Sequence, residues 1–316
     1  MESNRIFTNW KQRCSGLGHI MTNLNSISQS QINKLEMYNQ RVIDSVSDPK
    51  KALTDKMKEE YAMLKAKRDA PDELPSGAIT HLDKVFRDEF WNRPELDLTN
   101  KYIIKGLSNQ EDVLDLHSKV DKESYFSNKI RFHNDFIHGE PDNFDVPSPK
   151  IKIKVRDAKA NFSLESFDNA DLSTLYSWQI KGYSWLLKQH FDLDYFPEGE
   201  LMYALTNSPE HIIRNEMNSF LYKVNDPNEE NDKWKETKRI IERRHIFDIE
   251  KFKQENPFYV FENETLDFDI PASCRVKKFD VITTADDVEA IKSRVMLSRI
   301  YLVQKEIETL KKMNLI

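Results

Sequence analysis

From Lys150 to Lys159 the chain reads Lys-Ile-Lys-Ile-Lys-Val-Arg-Asp-Ala-Lys, an alternation with the period of a β-strand. Side chains two apart on a strand share a face. Ile151, Ile153 and Val155 therefore point one way, and Asp157 and Lys159 continue their row. Burying either charge without compensation costs several kcal/mol, roughly. An apolar row that runs into a carboxylate and an ammonium thus suits the rim of a site better than a purely structural strand.

Upstream, Gly139-Glu-Pro-Asp-Asn-Phe carries Pro141 and Asp142, and Pro147, Ser148 and Pro149 mark a turn-rich connection. If that connection joins two antiparallel strands, Asp142 lies beside Asp157. Two carboxylates with a nearby lysine suit a hard divalent cation, most simply Mg²⁺, which prefers oxygen ligands and keeps several waters. In such a site the lysine orients or deprotonates a metal-bound water, and the cation neutralises charge building on a phosphate. That chemistry is phosphodiester hydrolysis. Each half of the pattern also has an ordinary reading, since Asp-x-Lys is frequent and Pro-Asp usually starts a turn. Their order, the strand setting and the apolar row together favour the site.

Asp142, Asp157 and Lys159 resemble the PD-(D/E)xK nuclease signature, in the version carried by lambda-type and YqaJ-type phage recombination exonucleases. The resemblance implies an α/β fold with a restriction-endonuclease-like core, a mixed β-sheet flanked by helices, and helical additions at both ends. It implies one nuclease domain over 1–316: a mostly helical cover (1–100), a catalytic core (101–210) and a C-terminal helical region with an edge strand (211–316). The implied activity is Mg²⁺- or Mn²⁺-dependent hydrolysis of DNA, 5′-to-3′ on linear duplex, in phage-type recombination or replication. Asp142 and Asp157 would bind metal, with the Ala158 carbonyl as an additional ligand, and Lys159 would activate or position water.

Further matches extend along the chain. Arg13-Cys14-Ser15-Gly16 joins an arginine and a serine to glycine, which suits a phosphate and otherwise an ordinary polar turn. In the resembling enzymes a similar pair grips the DNA 5′ end, so Arg13 and Ser15 are the candidates, with Cys14 a packed residue. Lys105-Gly106 opens a helix with Val113, Leu114, His117 and Val120 near one face. In the family this helix aims an acid at the metals, usually four positions after the glycine. Gln110 stands there and Glu111 is the adjacent acid, which makes Glu111 the expected third acidic group, although one residue turns a helix by roughly 100°. The most distinctive secondary match is Tyr176-x-Trp178-Gln179-x-x-x-Tyr183, on a helix expected from about 172 to 190. Gln179 and Tyr183 are i and i+4 and share a face. By resemblance, Gln179 hydrogen-bonds the attacking water or scissile phosphate, and Tyr183 a nearby group or base.

Bulk properties narrow the alternatives. Seven glycines in 316 residues disfavour a turn-dense all-β chain. The net charge of −6 neither supports nor excludes nucleic acid, since cations can be concentrated locally. Two cysteines, Cys14 and Cys274, give no disulfide framework and too few thiolates for an iron–sulfur cluster. With no signal peptide or long apolar run, the expected location is cytoplasmic, in a bacterial host if the chain is phage-encoded, with no membrane partner. Lys150, Lys152, Lys154 and Arg156 form a basic row that reads as a solvated strand face or a phosphate-facing stripe. Residues 129–137 read as one strand, and 234–253 as one charged helical segment with Arg239, Arg243, Arg244 and His245. In the final helix Met296, Ile300, Val303, Ile307 and Leu310 form an apolar stripe. The resemblance adds double-stranded DNA ends, a homo-oligomeric ring and a single-strand-annealing recombinase as partners. The rival readings are a structure- or nick-directed endonuclease and a non-catalytic DNA-binding or assembly subunit.

Overall fold

In the computed structural model, residues 5–22, 29–69, 73–94, 100–146, 148, 152–224, 232–263 and 265–316 are described. Ile151, Lys150, Pro147 and Pro149 lie outside them. In chain order the elements are β1 (Gln12–Arg13), α1 (Cys14–Ile20), α2 (Gln29–Asp44), α3 (Asp55–Asp69), α4 (Ser76–Phe90), α5 (Lys101–Ser108) and α6 (Gln110–Asp121). There follow β2 (Phe132–His133), β3 (Ile137–Gly139), β4 (Asn143–Phe144), β5 (Lys154–Ala160), α7 (Leu164–Asp168), α8 (Thr174–His190) and β6 (Glu198–Ala204). The chain closes with α9 (Glu210–Val224), α10 (Asp232–His245), α11 (Ile249–Glu255), β7 (Val276–Val281) and α12 (Ala285–Lys312).

The chain forms two compact units, one of Lys11–Gly18 and Pro94–Lys292, the other of Met1–Trp10, His19–Arg93 and Ser293–Ile316. In the smaller unit α2 and α3 close a small core of Leu35, Tyr38, Leu53 and Leu64, with Met57 and Tyr61 packed against it. Thr54 caps α3, its hydroxyl accepting from Met57 N. α4 buries Ala78, Leu82 and Phe86, and Phe7 stacks on Phe86 at 5.5 Å. Glu306, on the last helix, accepts the backbone N–H of Ile6 and Phe7.

The larger unit is built on a four-stranded mixed sheet in the order β4-β5-β6-β7. β5 and β6 are parallel, and α7 and α8 supply the crossover such a pair needs. β4 and β7 add antiparallel edges. Alternation sorts the sheet into two faces. On one, Ala158, Met202 and Ala204 pack with Val113, Leu114 and Leu116 of α6. On the other, Gly199 lies against Ile180 of α8, so close that a Cβ there would meet the Ile180 side chain at 2.2 Å. A second small sheet, β1-β3-β2, carries the start of α1.

The inner member of the basic row is structural and does not face a phosphate. Arg156 is 4% exposed, pairs with Asp145 at 2.5 Å and Glu200 at 3.2 Å, and lies 4.6 Å above the Tyr125 ring. Lys154 is half-exposed, and Lys152, before the strand begins, is exposed. Other expectations shift in detail. Residues 129–137 yield two short strands rather than one, because Asn134 turns the chain by accepting from Phe136 N and Ile137 N. The segment 234–253 is two helices, since Asp248 caps a new one. On α12 Met296 and Ile300 are about half exposed, and the buried row is Val288, Ile291, Val295, Ser298 and Leu302.

Lys105 and Glu242 are wholly enclosed, and the lysine is the more weakly partnered. Lys105 of α5 is 0% exposed; its Nζ donates to Phe162 O at 3.2 Å and faces the rings of Phe162 and Phe247. Burial pushes its pKa down to about 7, against the pull of Asp112. Between about pH 7 and its ordinary value of 10.5 the unfolded chain binds a proton there that the folded chain has released. Stability therefore rises with pH through that window and carries the full penalty below it. Lys105→Met should stabilise the protein by roughly 1–4 kcal/mol near pH 6, as hydrophobic replacement of buried charge does elsewhere. Denaturant melts should show that gain narrowing towards pH 10.

Candidate active site

The register of β4 against β5 pairs Asn143 with Arg156, which sets Asp142 opposite Asp157. Asp142 Oδ2 accepts the Ala158 N–H at 2.6 Å, from the edge of β5 that β4 leaves free beyond Arg156. The N–H and C=O of one strand residue emerge on the same edge, so the Ala158 carbonyl also faces Asp142. Asp157 is 1% exposed and begins the end of the row that Ile153 and Val155 start. Lys159 Nζ lies 2.7 Å from Asp157 Oδ2 as an ion pair. The contact is off the line of a hydrogen bond, and that buried oxygen accepts none. The Tyr176 ring covers Lys159 from 4.8 Å.

Two like charges this close disturb each other. Burial, and then the charge of Asp157, push the Asp142 carboxyl up to about 7, while Lys159 and the Ala158 N–H pull the other way. Burial alone would lower the Lys159 pKa, but the carboxylates of Asp157 and Asp142 outweigh it and hold the value above normal. In the cation-free site Lys159 is therefore a protonated cation, able to orient a water or stabilise negative charge.

Gln179, on α8, is 6% exposed and commits its amide nitrogen twice, to Asp157 Oδ1 at 2.8 Å and to the Tyr183 hydroxyl at 2.9 Å. It braces the carboxylate and leaves only its carbonyl oxygen for a water. Tyr183 is buried to 4% exposure, and burial followed by the Asp157 charge raises its pKa. Its ring supports β3, where a Cβ on Gly139 would meet it at 2.6 Å. The same Cβ would lie 2.9 Å from Cys14 Sγ, and one on Gly182 3.0 Å from it, so the start of α1 docks only onto glycine. Cys14 is fully buried and its thiol is pushed far up, which leaves it a packed residue. This docking puts its neighbours Arg13 and Ser15 on the wall of the cleft that holds the acidic pair.

On α6 the residue that reaches the pair is Gln110, whose Nε2 donates to Asp142 Oδ1. Glu111 is not brought in. Its side chain is 74% exposed and lies 3.9 Å from Lys129, on the surface. The reason is phase: α5 ends at Ser108, Asn109 caps the new helix, and Gln110 is its first residue. One step further along turns Glu111 away by about 100°. Arg239 and Arg243 are engaged elsewhere, on Glu262 O and Asn263 Oδ1.

These groups open into a cleft of about 890 Å³. Arg13, Ser15 and Glu140 border one side, and Tyr102, Phe162 and Tyr176 another. The sequence reading put Gln110 at the inward position but preferred Glu111 as the acid; it missed the cover of Lys159 by Tyr176. That cover was legible, since Tyr176 precedes Gln179 by one turn on the same helix.

The donors are two carboxylates and a backbone carbonyl, all hard oxygen, and one buried carboxylate oxygen lacks a hydrogen-bond donor. They fit Mg²⁺ or Mn²⁺ completed by water and substrate oxygens. Among the described residues no group of three or more His, Cys, Asp or Glu side chains is placed to hold a metal. Nor is any described helix long and apolar enough to cross a membrane.

The same fold occurs in a phage-related exonuclease from Haemophilus somnus 129PT, with TM-score 0.56 and 18% identity over 95% of this chain and 97% of that one. An alkaline exonuclease (LHK-Exo) from Laribacter hongkongensis aligns with TM-score 0.44 and 8% identity, over 76% and 86% of the two chains, too distant to carry weight. No family profile matches the chain, and no curated protein matches it. The likeness establishes the fold: a mixed α/β architecture shared with that phage-related exonuclease.

The raised Asp142 pKa fixes a sign. Between about pH 4 and about pH 7 the folded protein holds a proton that the unfolded chain has lost, so stability in EDTA falls as pH rises through that window. Asp142→Asn should remove that slope and leave the variant more stable than the parent at pH 8 by about 2 kcal/mol. Mn²⁺ should raise the melting temperature of the parent and leave that of the variant unchanged.

Proposed function

We propose that the chain is a Mg²⁺- or Mn²⁺-dependent deoxyribonuclease that degrades linear duplex DNA from a 5′ end, in phage-type recombination or replication. One observation carries the reading: Asp142, Asp157 and Lys159, from two neighbouring strands, face one open cleft, and the carboxylates are braced rather than neutralised by partners. The fold neighbour described as a phage-related exonuclease points the same way.

A bound divalent ion would supply charge neutralisation and an acidified water. Asp142, Asp157 and the Ala158 carbonyl would hold it. Lys159, protonated, would orient the attacking water or stabilise the negative charge that grows on the phosphoryl oxygens. The Gln179 amide would keep Asp157 in place, and its free carbonyl oxygen can accept from the water. Arg13 and Ser15 offer a guanidinium and a hydroxyl to a terminal 5′ phosphate, and a requirement for that group would make the enzyme work from ends. Tyr183 accepts the Gln179 amide on its hydroxyl and would turn its own O–H to a nearby group or base in the cleft it lines. A ring of identical subunits and an annealing recombinase are the partners proposed with this reading.

Asp157→Ala and Lys159→Ala should retain the parental circular dichroism spectrum and lose cleavage of end-labelled linear duplex by at least about a hundredfold. Arg13→Ala should act mainly on substrates carrying a 5′ phosphate, raising KM more than it lowers kcat. Parental rates in the Asp157 variant would end the assignment. Equal cutting of closed-circular, nicked and linear DNA would replace the exonuclease with an endonuclease.

A further inference from the structure

We propose that the site, on the reading just given, holds a single divalent cation, and that Gln110 is the residue that sets this number. With a cation bound and both carboxyl groups ionised, the charges converging there would be two carboxylates and one ammonium, a net −1. One divalent ion leaves +1, which a single phosphodiester charge completes. Two would leave +3, with no anionic group to separate or share them.

The carboxylate oxygens are also already apportioned. Asp142 receives Gln110 Nε2 on Oδ1 and Ala158 N on Oδ2. Asp157 receives Gln179 Nε2 on Oδ1 and faces Lys159 with Oδ2. A second ion needs a further anionic ligand beside Asp142, and the side chain standing there is a neutral amide. Gln110 can offer at most one carbonyl oxygen, and only after turning its amide over. Glu140 and Asp171 border the cleft, but no third acid, histidine or cysteine stands with the pair at ligand range among the described residues. Glu111, one residue on, is turned to the surface beside Lys129. Gln110 thus steadies Asp142 without adding charge, and a carboxylate of the same length at that position would complete a second site.

Mn²⁺ titration followed by electron paramagnetic resonance tests this without relying on turnover. The Asp142→Asn/Asp157→Asn double variant supplies the background from ordinary surface carboxylates. After its subtraction the parent should bind one Mn²⁺ per chain, Gln110→Ala one, and Gln110→Glu two, with thermal melts confirming that each is folded. Two ions in the parent, or a single one in a folded Gln110→Glu, would overturn the inference while leaving the nuclease reading intact. No ion above background in the parent would remove that reading and this inference together. Should Gln110→Glu fail to fold, the counts for the parent and Gln110→Ala still decide.

Discussion

The repulsion between Asp142 and Asp157 is the constraint around which the larger unit is arranged. Neighbouring strands bring two carboxylates face to face where water is largely excluded, an arrangement that opposes folding unless each oxygen finds a partner. Four partners come from three elements: the strand itself through Ala158 N and Lys159, α8 through Gln179, and α6 through Gln110. None of these neutralises the pair outright. Three are dipoles, and the one cation lies off the axis of the oxygen it approaches. The result is a pair held in place but still negative, the electrostatic state a hard cation selects.

β5 offers its own control. Successive residues on one strand, Arg156 and Asp157, are almost equally inaccessible at 4% and 1% exposure, yet their surroundings differ in kind. Arg156 is saturated by Asp145, Glu200, Asn143 and the Tyr125 ring. Its side of the sheet also includes Lys278, paired with Asp121. Charges there answer one another, as expected for structure. On the opposite face Asp157 keeps an oxygen without a donor, and the row opens into the cleft. Burial is the same on both faces; satisfaction is not. That difference marks where chemistry can occur better than the motif does.

How much of this the sequence carries depends on the periodicity involved. The β5 row was legible because a period of two admits only one partition into faces, and Ile153, Val155 and Asp157 follow it. Gln179 and Tyr183 were legible as partners because i and i+4 meet on any helix. The contribution of α6 was legible in part: its spacing from Gly106 put Gln110 inward, while the preference for an acid chose Glu111, which the helix turns to the surface. A similar ambiguity affected α12. Its apolar residues are numerous enough to draw more than one stripe, and packing chose Val288, Ile291, Val295 and Leu302 over Met296 and Ile300. Arg156 escaped too, because its partners Asp145 and Glu200 are scattered along the chain and meet only through the sheet register.

The surroundings of Lys159 shape what it can contribute. In the cation-free site its ammonium is kept charged by two carboxylates, and a bound cation would offset part of that negative charge. The ammonium can draw an attacking water into line and offset charge on a phosphate, which are electrostatic and positional contributions. The Tyr176 ring limits its motion by lying over the charge. Gln179 spends both amide hydrogens on Asp157 and Tyr183 and so contributes rigidity first. The protein's share in the reaction is then geometry: a register that opposes Asp142 to Asp157, an α8 turn that locks one, and an α6 terminus that steadies the other.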